Sequence, residues 1–256
     1  MWCRSPSSCS QGSVSTHSLD RQVSVRSPSC PCGGGRVSDG TSPRRETARH
    51  RAKADRRALL LAAAARLFAQ SGFDGVSIED LGAAAGVSGP AVYRHFPSKQ
   101  AVLAALLVGA SERLAAGGRE VLEAAADDLD ALRSLIRFHV EFALADPDVI
   151  RVQDRDLDSL GPADSRTVRA LQRSYVEEWV GVLARLRPDT DPAELRIRAH
   201  ATFGLLNSTP HSARSLPRRR VGALLEEMAL AALLPSAVLT PSSASSPAPP
   251  ASRRRP

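Results

Sequence analysis

The stretch SIEDLGAAAGVSGPAVYRHFPSKQAV, residues 77–102, restricts the possible folds more than any other part of the chain. Its helix starts and stops come too close together for anything but short helices. Ser77 opens the first, with Asp80 three residues on in a capping-box spacing. Gly86 ends it and Ser88 is the next N-cap. Pro90 falls in the following first turn, where a missing N–H costs nothing. The spacing predicts helices over 77–86 and 88–96, the second stopped by Pro97. Two such helices joined by AAGVS (84–88) make a helix-turn-helix, with Ala83 and Ala84 small at the crossing and Val87 plugging the space between. This unit places its second helix in the DNA major groove.

The remaining pattern is helical as well. Leu60, Ala63, Ala64, Leu67 and Phe68 repeat at i, i+3, i+4, and Gly72 sits where a C′ residue ends the helix. Ser98 caps a fourth helix through Leu106 and Leu114, which Gly117-Gly118 is expected to break or kink. Further helices are expected over 127–146, 147–161, 162–188, 191–208 and 216–234. The chain is 43% hydrophobic but only 4% aromatic, so its core must be Ala, Leu and Val, which favours helices over a sheet. The expected fold is all-α, with about nine helices and no strand.

Composition also narrows the function classes. No window approaches the ~18 uninterrupted apolar residues of a membrane span, so a soluble, cytoplasmic chain with no membrane partner is expected. The sequence has no Gly-rich phosphate loop, H-E-x-x-H or nucleophile elbow, so no catalytic residue, metal or cofactor is expected. Cys3, Cys9, Cys30 and Cys32 lie among Ser, Pro, Gly and Arg, which suits an unstructured leader better than a zinc module. The net charge of +7 sits in the flanks: residues 1–57 carry +7 and 253–255 carry +3, while 58–252 carry −3. The run RRETARHRAKADRR (44–57), just before the helix-turn-helix domain, reads as a phosphate-contacting arm. The expected organisation is a disordered leader over 1–43, in which Val37 could be the true start. A helix-turn-helix domain with its basic arm follows over 44–100, a helical effector-binding and dimerisation domain over 101–234, and a disordered tail over 235–256.

Residues 55–107 resemble the DNA-binding domain of the TetR family of bacterial transcriptional regulators. Phe68, Gly72, Phe73, Ser77, Leu81, Ala85-Gly86-Val87-Ser88, Tyr93-Arg94-His95-Phe96, Lys99 and Leu103 all stand in that family's register. Residues 108–234 resemble the family only in outline. The resemblance implies a homodimer on palindromic double-stranded operator DNA, acting as a ligand-released repressor. The alternative is a regulator that works without an effector, or an activator.

The same resemblance assigns roles to individual residues. Ser77, Ser88, Tyr93, His95 and Lys99 would hold phosphates, and Gly89, Pro90 and Ala91 would face base edges. Arg94 would fork onto a guanine or hold a phosphate, and Tyr93 would otherwise be partly core. Arg56, with Arg51, Lys53 and Arg57, would reach the minor groove. In the second domain Phe138, Phe142, Tyr175, Trp179 and Phe203 would line an effector pocket, or else be plain core. DPDVIRVQDRDL with FGLLNSTPHS is loosely similar to family members regulating lipid or acyl-CoA degradation, which implies an effector of that kind, and Arg137, His139 and Arg151 would meet an anionic ligand or else be solvated. Leu224, Leu225, Met228 and Ala232 on the last helix would form the dimer seam, with an intramolecular core face as the alternative.

Overall fold

The computed structural model describes residues 43–212 and 216–234. The readings of 1–42 and 235–256 lie outside the described residues. The helices are α1 (Pro43–Ser71), α2 (Ile78–Ala84), α3 (Gly89–Val92), α4 (Lys99–Glu123), α5 (Asp128–Ala145), α6 (Pro147–Asp156), α7 (Pro162–Leu186), α8 (Pro192–Leu206), α9 (Thr209–Ser212) and α10 (Arg218–Leu233). A 3-10 turn, Leu157–Ser159, follows α6. There is no strand among the described residues, and the all-α expectation holds. The helix absent from the sequence reading is α9, a single turn around Pro210. The basic run 44–57 is the N-terminal half of α1 rather than an extended arm.

From Arg57 onward the chain packs as one compact unit. α4 is its central element. Its first half buries Val102, Leu103, Leu106, Leu107 and Ala110 in one cluster with Leu60 and Phe68 of α1, Leu81 of α2 and Val92 of α3. Val149 and Val152 of α6, and Val168 of α7, complete that cluster. Fully burying a leucine such as Leu103 or Leu107 contributes about 2 kcal/mol. By length and composition α4 would also cross a membrane; here its apolar residues are spent inside the fold, with α5 and α7 packed along it.

Two polar ties reinforce the join between α6 and the first helices. The Arg155 guanidinium donates to the carbonyls of Phe68 and Ala69 in the last turn of α1, the Phe68 carbonyl also accepting from Gly72 N at 2.8 Å. The buried Asp156 carboxylate holds that guanidinium from the other side, at 3.0 Å from Nε. Gly72, at φ 81°, turns the chain away there, a conformation that side chains disfavour. The Gln100 side-chain amide also donates to the Ser159 carbonyl at 3.0 Å.

Gly117 and Gly118 do not break α4, which continues to Glu123. A Cβ on Gly117 would lie 2.3 Å from Phe138 Cζ, and one on Gly118 would lie 2.6 Å from Tyr175 Cε2. The pair therefore lets α5 and α7 rings sit against the α4 backbone. This fixes the sign of a test. At a solvent-exposed kink, Gly118→Ala would stabilise by about 1 kcal/mol. Against the buried Tyr175 ring it should destabilise by about 1–3 kcal/mol, measured as the urea midpoint of the two proteins.

Candidate nucleic-acid interface

Ser77 and Asp80 form the expected reciprocal cap. Ser77 Oγ accepts from Asp80 N at 3.1 Å, and Asp80 Oδ2 accepts from Ser77 N at 2.9 Å. Ser77 Oγ–H also donates to Asp80 Oδ2 at 2.6 Å, which holds the Asp80 carboxyl below the usual carboxylate range. The Ser77 hydroxyl is thus engaged in the α2 cap. Ser88 has extended backbone and makes no side-chain cap bond, so its hydroxyl is available at the α3 start.

The α2–α3 crossing is close at Gly82, not at Ala83 and Ala84, which are exposed. A Cβ on Gly82 would stand 2.8 Å from the Val87 carbonyl oxygen and 3.1 Å from Gly89 N. Gly86, at φ 68°, makes the turn. Its left-handed backbone suits glycine, and Val87 N then donates back to the Gly82 carbonyl at 2.8 Å. Val87 is half-buried against the core, while Leu81, Val92 and Phe96 are fully inside it.

These contacts leave a bare leading edge. Pro90 is exposed and Gly89 and Ala91 are half-buried, with no long side chain among them. Tyr93 is 53% exposed, so it is not a core residue, and Arg94 beside it is exposed as well. Leu81, Val92 and Phe96 form the apolar floor beneath α3. His95 is half-buried, and its carbonyl accepts from Arg57 Nη1 at 3.4 Å. The Arg57 guanidinium lies 4.3 Å from the Phe96 ring centroid. Arg57 therefore steadies the end of α3. Arg51, Lys53 and Arg56 are exposed along the N-terminal half of α1.

Lys99 Nζ donates to the Phe73 carbonyl at 2.9 Å and sits 4.4 Å from the Phe73 ring centroid. An ammonium held by one carbonyl and one ring face secures the α1–α2 connection to the start of α4, with two of its three N–H donors uncommitted in these contacts.

In the second domain, Phe142, Tyr175, Trp179 and Phe203 come together around the buried His139. Phe138 stands apart, against Gly117. Tyr175 O–H donates to His139 Nδ1 at 3.3 Å, and His139 Nε2–H donates to Asn207 Oδ1 at 3.1 Å. Burial lowers the His139 pKa to about 4, against a smaller opposing effect of the Asn207 bond. Sequence reasoning took His139 as a candidate for an anion, but a buried neutral imidazole is the polar centre of an aromatic core. Arg137 is exposed, and Arg151 donates to the Pro210 carbonyl at 3.0 Å. An open groove of about 380 Å³ lies between α5 and α10, lined by Val140, Leu144, Gly222, Arg218 and Arg219 among others. None of the five expected pocket aromatics lines it. On α10, Leu225 is buried within its own chain, a correction to the expected seam. Leu224 and Met228 are 38% and 46% exposed, Ala232 is exposed, and Ile197 of α8 is 68% exposed.

Two measurements follow from these contacts. Lys99→Met keeps the stem but loses the ammonium. It should cost about 1–2 kcal/mol of stability and leave the salt dependence of DNA binding unchanged, whereas loss of a phosphate ligand would make the slope shallower by about one. For His139, the unfolded imidazole takes up a proton near 6.5 and the folded one only near 4. Stability is therefore complete above pH 6.5 and falls as pH drops toward 4, by up to about 3 kcal/mol in total. Urea midpoints between pH 7.5 and 5 should show this decline, and His139→Gln should remove it.

Similar proteins agree with this geometry. A family model described as "Bacterial regulatory proteins, tetR family" matches residues 60–106. Another, "Tetracyclin repressor-like, C-terminal domain", matches residues 125–211. The HTH-type transcriptional regulator CymR of Pseudomonas putida is 32% identical over 158 residues, covering 60% of this chain and 77% of the relative. The HTH-type transcriptional repressor KstR2 of Rhodococcus jostii (strain RHA1) is 29% identical over 132 residues. That match covers 51% of this chain and 65% of the relative's length, just under two thirds. The crystal structure of the TetR family regulator PfmR from Thermus thermophilus superposes with a TM-score of 0.61 at 26% identity. It covers 68% of this chain and 96% of that one. A helix-turn-helix closed at Gly82 and a helical second domain, matched in both halves and over most of a relative, place the chain in the TetR family of bacterial transcriptional regulators.

Proposed function

We propose that the protein is a cytoplasmic, homodimeric repressor that binds a palindromic operator and is released by a small molecule. The observation that carries the DNA-binding reading is the bare α3 edge of Gly89, Pro90 and Ala91. Without long side chains, the helix start can approach base edges, where small apolar groups meet the thymine methyl. Exposed Tyr93 and the available Ser88 hydroxyl flank it for phosphates, and Arg94 is the long side chain positioned for a guanine. Arg51, Lys53 and Arg56 add cationic attraction from α1.

Homodimerisation is supported by Ile197, Leu224, Met228 and Ala232, apolar residues left exposed on α8 and α10. A two-fold dimer spaces two α3 helices for successive major grooves. A ligand favouring another spacing would shift the population off DNA by no more than its differential affinity. The path for that shift is the core shared by α1, α4 and α6, with the Arg155 and Gln100 ties across it. Phe142 packs on that core and on His139, which links it to the aromatic cluster. An effector of lipid or acyl-CoA type would set its acyl chain against these rings. The ring-against-ring packing around His139 favours the second reading, a regulator needing no effector. Thermal-shift screening with acyl-CoA thioesters and free lipids separates the two.

The decisive experiment is selection of bound DNA from a random pool, repeated with Arg94→Ala. The expected result is a palindromic site for the wild type. The variant should lose preference at one base pair per half-site and bind about 1–3 kcal/mol more weakly. Weakening that is even across all sequences would make Arg94 a phosphate ligand instead.

A further inference from the structure

The recognition edge contains a carboxylate that the DNA-binding reading leaves unused. Glu79, in the first turn of α2, lays its side chain across Gly89, the first residue of α3. A Cβ on Gly89 would meet Glu79 Oε1 at 3.4 Å and its Cγ at 3.6 Å. The Glu79 carboxylate therefore lies in van der Waals range of the first residue of α3. Glu79 is exposed and, among the described residues, makes no hydrogen bond or ion pair; its neighbour Asp80 is fully taken up by the cap.

A free negative charge is costly at a surface meant for phosphates, because it repels the backbone on both sides of the groove. Removing that cost requires a donor on the DNA. In the major groove the donors are exocyclic amines, and a carboxylate pairs with the cytosine N4 amino group. The edge around it offers little competing readout: Gly89, Pro90 and Ala91 have no side-chain donor or acceptor. We propose that Glu79 is a specificity-determining residue that reads the N4 amino group of one cytosine in each operator half-site. This rests on the DNA-binding reading above. The structural alternative is that Glu79 only favours the α2 N-terminus through the helix dipole.

The test is the same random-pool selection, followed by titration of the selected site and of versions changed at each position, with wild type, Glu79→Gln and Glu79→Asp. Thermal melts check that each variant folds. Glu79→Gln removes the charge and keeps the shape, while Glu79→Asp keeps the charge and withdraws it by one methylene. The expected result is that both variants lose a C·G preference of about five- to tenfold at one position per half-site. Other positions should stay unchanged, and Glu79→Gln should bind substituted sites more tightly than wild type does. Two results would overturn the proposal: an even gain in affinity for Glu79→Gln at every sequence, or a Glu79→Asp profile identical to wild type. Failure of the wild type to select any DNA would sink the DNA-binding reading along with it, and is recognisable because no variant is needed to see it.

Discussion

The burial of one helix, α4, is the constraint on which the rest of this fold rests. Its N-terminal half is the floor of the helix-turn-helix, through Leu103 and Leu107 against Phe68, Leu81 and Val92. The same half meets Val149 and Val152 of α6, and the later turns carry α5 and α7. Such a core joins the helix-turn-helix directly to α6 and the start of α7. Close-packed interiors transmit displacement because they have little free volume, so a shift of α6 must be felt at α1. Arg155 makes that link directional, since its guanidinium spans the last carbonyls of α1 and a buried carboxylate next to it on α6.

Glycine does the positioning work at each close crossing. At Gly82 the approach is backbone to backbone, with the Val87 carbonyl where a methyl group would be. At Gly117 and Gly118 it is backbone to ring, and α4 continues past them to Glu123. The low aromatic content gives these few rings an outsized share of the second domain's core. Four of them surround His139, which stays neutral because a charge there would have no water.

Much of the local structure was legible in the residues because it depends on near neighbours. The Ser77–Asp80 cap, the Gly86 turn, the Pro90 and Pro192 helix starts and the Asp191 cap are all set by groups a few positions away. Other outcomes depend on distant partners. Lys99 finds its carbonyl and ring on Phe73, 26 residues away. Gly117-Gly118 reads as a break until Phe138 and Tyr175 fill the space. Leu225 reads as a dimer contact, but α10 turns Val221, Leu225 and Ala229 inward as one row and leaves Leu224 and Met228 outside.

The residues alone decided the helical class, most helix boundaries and the identity of the DNA-facing unit, since capping, turn and periodicity signals act over one or two turns of chain. Tertiary structure decided which polar groups remain free to meet a partner. Lys99 Nζ is drawn to the Phe73 carbonyl 26 residues away, and Ser88, Tyr93 and Arg94 are left exposed. Glu79 lies beside Gly89 on the recognition edge, a juxtaposition of two helices that the fold alone creates. Whether a donor or acceptor is satisfied depends on all of its neighbours in space, and spacing along the chain does not encode that.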